Sequence, residues 1–271
     1  MSLIKSGRLS VLGASLYYEV RGSGPLLLLI AGGGGGGSGD WNGFVNNLSG
    51  SYTVVTYDRR GALNSPLDQP VEAIPLQTHT DDASLLLTAL TQEPAYIFGT
   101  SAGALIGLDL VSRYPQLVRK LLAHEPPAHY LLEGDNDNPE AVLETFKREG
   151  GLAALRQYAG VAGLNFERRE AGVELPEVSP MGAANAEALF KYTFLAVRNY
   201  RLDFEALKRV ANRIVLARGS AGSEGAGYRG ALAIAQRLGT EAVEFPSNHN
   251  GYLTHPRAFA TKLCEVLATP A

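Results

Sequence analysis

The chain has 271 residues, 45% of them hydrophobic and 19% charged, enough to bury a large core and ordinary for a globular protein rather than a disordered or fibrous one. Its 24 Lys and Arg stand against 27 Asp and Glu, and a net charge of −3 gives no reason to expect a nucleic-acid partner. One cysteine, Cys264, excludes an intramolecular disulfide. The longest apolar run, 26–31, is far too short to cross a bilayer, and the first residues lack a signal-peptide core, so a cytoplasmic protein without a membrane partner is expected.

Residues 8–12 and 15–21 read as two strands around Gly13-Ala14, an antiparallel hairpin at a sheet edge. The continuous apolar run 26–31 suits a strand covered on both faces. A glycine tract at 32–37 follows, then a helical segment at 41–48. The strand at 52–57 ends in Asp58-Arg59-Arg60-Gly61, expected to be a turn pinned by salt bridges. Residues 80–90 are amphipathic, with Asp81-Asp82 favouring the amino end of a helix. Residues 94–98 form a short β-branched and aromatic strand, and 102–114 a helix with a broad apolar face. Between them stands Gly99-Thr100-Ser101-Ala102-Gly103. The strand at 118–123 runs straight into His124-Glu125-Pro126-Pro127.

From 127 to 210 the strand pattern stops, and helical segments at 139–149, 151–163, 183–200 and 204–210 imply a cap over the strand ends. Its aromatic residues Tyr158, Phe166, Phe190, Tyr192, Phe194 and Tyr200 are expected mostly to pack, with two or three lining a pocket. A strand at 213–217, a helix at 226–238, a strand at 242–245 and a helix at 256–267 complete the chain. The expectation is therefore an α/β core, 1–126 and 211–271, with a helical cap at 127–210. Strands alternating with helices imply a mostly parallel sheet covered on both faces, with ligands bound beyond the carboxyl ends of the strands. Gly32, Ser101, Glu125 and His249 all fall there.

A G-x-S-x-G sequence between a strand and a helix makes a sharp turn that exposes the serine, here Ser101, at the amino end of the new helix. A serine hydroxyl needs a base, normally an imidazole oriented by a carboxylate. His249, in the loop between the last strand and the last helix, is the expected base; His255 opens that helix and suits a capping or surface role. Glu125, fixed by the two prolines behind it, is the leading acid, with Glu224 in the loop after strand 213–217 as the alternative. Glu125 could instead cap the first turn of the cap. The oxyanion donors expected are the backbone N–H of Ala102 and one from Gly32-Gly33. The glycine tract reads either as a donor loop that orders over substrate or as a tolerated flexible loop. No metal site is expected, since His124 and His129 lie five apart in a proline-broken segment.

Gly32-Gly33, Tyr57-Asp58-Arg59-Arg60-Gly61, Gly99-Thr100-Ser101-Ala102-Gly103 and Ser247-Asn248-His249-Asn250-Gly251-Tyr252 together resemble the α/β-hydrolase superfamily over nearly the whole chain. Within it, His124-Glu125-Pro126-Pro127 is similar to the His-Glu-x-Pro segment of zearalenone lactonases. The resemblance implies an α/β-hydrolase fold with Ser101 as nucleophile, His249 as base and Glu125 as acid. Two departures stand out: Ala31 precedes Gly32 where the superfamily often has histidine, and Trp41 is the only tryptophan, leaving none in the cap. The function expected is a cofactor-independent serine hydrolase acting on a medium-sized apolar ester or lactone. A homodimer is compatible with the sequence. The alternatives are a ligand-binding, receptor-like protein and a non-hydrolytic member of the same fold.

Overall fold

A strand whose side chains are apolar on both sides has to lie between two helical layers, and the central strands do so. The computed structural model describes residues 5–33, 41–62, 64–132, 138–175, 180–221 and 225–269. Its strands are β1 (Lys5–Val11), β2 (Ala14–Gly22), β3 (Leu26–Ile30), β4 (Thr53–Tyr57), β5 (Ala95–Thr100), β6 (Val118–His124), β7 (Ile214–Gly219) and β8 (Val243–Phe245). Among the described residues they form one sheet in the order β1-β2-β4-β3-β5-β6-β7-β8. The hairpin β1–β2 is antiparallel at one edge and β2 pairs antiparallel with β4; from β4 through β8 the pairings are parallel. The parallel, helix-flanked sheet and its edge hairpin are those expected from the alternation of strands and helices.

The helices around the sheet are α1 (Asn42–Leu48), α2 (Leu76–Leu90), α3 (Ala102–Arg113), α9 (Ala226–Leu238), α10 (Gly251–Thr254) and α11 (Pro256–Ala268). Successive residues of β3 point to opposite faces. Leu28 and Ile30 join the cluster that holds Leu86 of α2 and Leu105 of α3, while Leu27 and Leu29 join Phe44 of α1 and Phe259 of α11. Each such fully buried side chain contributes about 1.5–3 kcal/mol.

Between β6 and β7 the described chain is helical: α4 (Pro139–Glu149), α5 (Gly151–Ala162), α6 (Pro180–Ala188), α7 (Phe194–Asn199) and α8 (Phe204–Lys208), with short 3₁₀ turns. Two boundaries differ from expectation. The helix expected at 80–90 starts four residues earlier, at Leu76, with Pro75 at its N-cap position, where the missing N–H costs nothing. The helix expected at 183–200 is broken by a π-helical turn, Leu189–Thr193, which buries Leu189, Phe190 and Thr193. A widened turn leaves the hydrophobic periodicity almost unchanged, so the pattern cannot announce it.

Candidate active site

Ser101 is held in a conformation that an L-residue adopts only under constraint, with φ 54° and ψ −124°. Its N–H donates to the His124 carbonyl at 2.9 Å, and its own carbonyl accepts from the N–H groups of Ala104 and Leu105 as α3 begins. The flanking glycines are sterically required. A Cβ on Gly99 would strike the Gly103 carbonyl oxygen, and one on Gly103 would strike the Ile30 carbonyl oxygen and lie 2.7 Å from that of Ala31. The turn is therefore wedged between β3 and α3, and Ser101 stays partly exposed above the sheet.

Glu125 lies at the end of β6, also at positive φ, 48°. Its N–H donates to the Ala217 carbonyl at 2.9 Å, extending the β6–β7 pairing by one step. Both carboxylate oxygens have partners: Oε1 accepts from the Gly219 N–H at 2.8 Å, and Oε2 lies 2.6 Å from His249 Nδ1. Burial alone would raise this carboxyl, but the His249 hydrogen bond and charge, His124 and the Gly219 amide outweigh it and hold it at about 2. Glu125 thus faces the histidine loop and does not cap a helix turn. Glu224 lies outside the described residues, as do Gly34 to Gly37 of the glycine tract.

His249 is buried, 6% exposed, in a loop entered through Ser247 at φ 71°. Among the described residues, the three non-glycine positions at positive φ are Ser101, Glu125 and Ser247. Strain of about 1–3 kcal/mol each is thus gathered at the ends of β5, β6 and β8. With Nδ1 committed to Glu125, His249 has Nε2 left to act as acceptor. Ser101, Ala102, Gly33 and His249 line one cavity of about 50 Å³. Among the described residues no hydrogen bond joins Ser101 Oγ to His249, although both line this cavity. Such contacts are often long before substrate binds.

The Gly32 backbone lies against the serine: a Cβ there would sit 3.0 Å from Ser101 Cβ. Arg59 Nη2 donates to the Gly32 carbonyl at 2.8 Å. In a trans peptide the next N–H, that of Gly33, points the opposite way.

The four-residue turn after β4 departs from expectation. Arg60 pairs with Asp82 through Nε at 2.6 Å and Nη2 at 2.5 Å, as a salt-bridged turn should. Arg59 makes no ion pair among the described residues and instead holds the Gly32 carbonyl. Tyr158 and Phe194 line the active-site cavity with Leu155 and Val197, whereas Phe190 and Tyr192 do not. His129, Arg198 and Leu155 also line it, as do Pro127, Ala162, Leu164 and Leu189, a role not expected of them from the sequence. His129 Nδ1 lies 3.2 Å from Arg198 Nη1, and its Nε2 lies 3.4 Å from Tyr158 Oη, making a polar group in the cavity additional to Ser101 and His249. The signal for His129 was its place just after Pro126-Pro127, close in sequence to Glu125; Arg198 gave none. His124 stays out of the cavity, among the rings of Phe98, Phe245 and Phe259, and burial lowers its pKa to about 4.

His255 lies outside the cavity, where its Nδ1 meets Thr254 Oγ1 at 3.0 Å. Among the described residues no group of three His, Cys, Asp or Glu is placed to hold a metal ion, and no helix is long and apolar enough to cross a membrane.

A family model described as alpha/beta hydrolase fold matches residues 25–160. The chain is 39% identical over 272 residues to the uncharacterized hydrolase YraK of Bacillus subtilis (strain 168), covering 97% of this chain and 96% of that one. In fold it is similar to a thermophilic esterase from Thermogutta terrifontis, with a TM-score of 0.76 at 18% identity over 97% of this chain and 98% of that one. It is also similar to carboxylesterase CesB from Bacillus subtilis, with a TM-score of 0.71 at 15% identity over 98% and 92%.

Proposed function

Because the chain belongs to the alpha/beta hydrolase family, we propose that it is a serine hydrolase of carboxylic esters, acting through Ser101, His249 and Glu125. The observation that carries this reading is the buried His249–Glu125 pair at 2.6 Å, its imidazole lining the same cavity as a serine held at positive φ. In the reaction, Ser101 Oγ attacks the ester carbonyl carbon and its proton passes to His249 Nε2. Glu125 holds the ring with Nδ1–H toward itself and stabilises the imidazolium. The carbonyl oxygen, now an alkoxide, is met by the N–H of Ala102 at the positive end of α3 and by that of Gly33. Gly32 supplies the close backbone approach, and its carbonyl, gripped by Arg59, sets the direction of the Gly33 N–H. The intermediate collapses, the alcohol leaves with the proton from His249, and a water activated by the same imidazole releases the acid.

The helices of 127–210 act as a cap, lending Leu155, Phe194 and Val197 to an apolar acyl or alcohol site. Esters stand first among substrates to screen because two proteins of similar fold are described as an esterase and a carboxylesterase. Ring-closed esters belong in the same screen: a lactone meets the same serine and releases a hydroxy acid. The chemistry calls for no cofactor.

The test is stopped-flow release of a chromogenic alcohol from short-chain aryl esters. A burst stoichiometric with enzyme is expected, absent in Ser101→Ala. Tight apolar-ligand binding without turnover, or turnover that survives Ser101→Ala, would sink the reading and favour a receptor-like or non-hydrolytic protein.

A further inference from the structure

A second, smaller cavity lies behind the Gly32 loop, between the carboxyl end of β4, α2 and the cap helix α6. Its volume is about 30 Å³, room for roughly two or three non-hydrogen atoms. Part of its wall is polar and unpartnered. Tyr57 Oη, Arg59 Nη1, both ring nitrogens of His79 and both amide atoms of Asn185 are buried there without a hydrogen-bond partner among the described residues. Tyr57, His79 and Asn185 are 1%, 2% and 7% exposed.

A buried polar atom without a partner is costly, so a cluster of them converging on one space implies an occupant. The charge says which kind. Arg60, on the same wall, is already neutralised by Asp82. The Arg59 guanidinium is buried, remains protonated, and pairs with no carboxylate among the described residues. His79 adds no negative charge: burial, with Arg59 and Arg60 nearby, keeps its imidazole neutral and able to donate one N–H. A cation enclosed without a counter-charge is the costly arrangement, and water does not cancel it.

From this we infer that the cavity is an anion site for a carboxylate group, gripped by Arg59 Nη1 and completed by N–H or O–H donors from Asn185, His79 and Tyr57. The fork geometry of guanidinium suits a carboxylate better than a single-atom anion. Leu189, in the π-helical turn, lines both this cavity and the one beside Ser101, so it is the partition between them. Arg59 joins the two sites as well, one amino group facing the anion and the other holding the Gly32 carbonyl. The carboxylate comes either from a free small acid or from a substrate reaching past Leu189, in which case the enzyme prefers half-esters of short dicarboxylic acids.

Binding is measured without turnover, so it stands or falls apart from the proposed ester chemistry. The probe is sodium formate, titrated into the intact protein by thermal shift, with ionic strength held constant by a sulfonate too large for the cavity. A saturable rise in Tm is expected, with formate affinity at least tenfold weaker in Arg59→Gln and in Asn185→Leu. No saturable rise, or equal affinity in wild type and both variants, overturns the site. Should Arg59→Gln fail to fold, Asn185→Leu decides alone, and unchanged affinity there overturns it equally. A second arm identifies the source by comparing kcat/KM for a half-ester with that for its methyl diester. A preference of tenfold or more that formate competes away assigns the carboxylate to substrate. Formate binding without that preference assigns it to a free acid.

Discussion

At the scale of single residues, Glu125 does two jobs through its two oxygens. Oε1 ties the end of β6 to the end of β7, and Oε2 orients His249. Replacement by glutamine keeps the size but removes the charge; with its oxygen kept on the Gly219 N–H, its N–H₂ faces His249 and favours the tautomer protonated at Nε2, which cannot take the serine proton. Glu125→Gln is expected to lower kcat about 10²- to 10⁴-fold, the range over which a misoriented imidazole acts, while Glu224→Gln stays near wild type. The same substitution carries a pH signature. The folded carboxyl is held at about 2, below its ordinary 4.5. A depressed acid contributes stability that is complete above the unfolded value and fades as pH falls toward the folded one. Urea unfolding should therefore show wild type more stable than Glu125→Gln at about pH 5. That margin should shrink from pH 4.5 toward 2; one that grew on acidification would contradict the assignment.

Single elements meet at the turn from β5 into α3. Ser101 occupies its strained backbone because Gly99 and Gly103 let β3, β5 and α3 approach without a side chain between them. Gly103→Ala would drive a methyl into the Ile30 carbonyl, and neither strand nor helix can retreat without breaking pairing with its neighbours. Overpacking of this kind costs about 1–3 kcal/mol. The expected result is a lower urea midpoint together with activity reduced well beyond what the fraction still folded explains, because the hydroxyl moves with the turn. Normal activity in the folded fraction would show that the turn tolerates displacement. This element was legible in the sequence because its requirement is local: two glycines, a serine and a strand-to-helix change of period. Glu125 and His249 were legible for a similar reason, each following a recognisable strand. Arg59 and Arg198 were not. Their roles depend on which carbonyl or ring a long side chain meets across the fold, and nothing in the neighbouring residues encodes that. The π-helical turn escaped notice because one widened turn barely disturbs a helical pattern.

Across the whole molecule, the helical insertion is not packed uniformly. Val142, Ala154, Leu189, Phe190 and Phe194 form a small cluster of their own, whereas Val197, Leu202 and Leu207 belong to the main core with Leu105 and Leu121. Its far end is thus continuous with the sheet layer, a division that periodicity alone does not show. A polar tie reinforces the join: Tyr200 Oη donates to Asp109 Oδ1 at 2.6 Å, and Arg113 Nη1 donates to the other oxygen at 3.3 Å. Asp109 is 4% exposed, so losing the tyrosine hydroxyl leaves a buried charge on its weaker contact. Tyr200→Phe should cost about 1.5–3 kcal/mol, the range for a hydrogen bond to a charged group. How that loss is distributed tests the join. Trp41, the single tryptophan, is buried against Phe44, Phe98 and Tyr252 on the sheet face opposite α3, so its fluorescence reports the core, while far-UV circular dichroism reports every helix. If Val197, Leu202 and Leu207 bind the insertion into the core's cooperative unit, the two signals coincide in wild type and move together in Tyr200→Phe. Helix signal lost ahead of Trp41 fluorescence in the variant would mean that the insertion unfolds separately, and that Tyr200 is a clasp between two units rather than a bond within one.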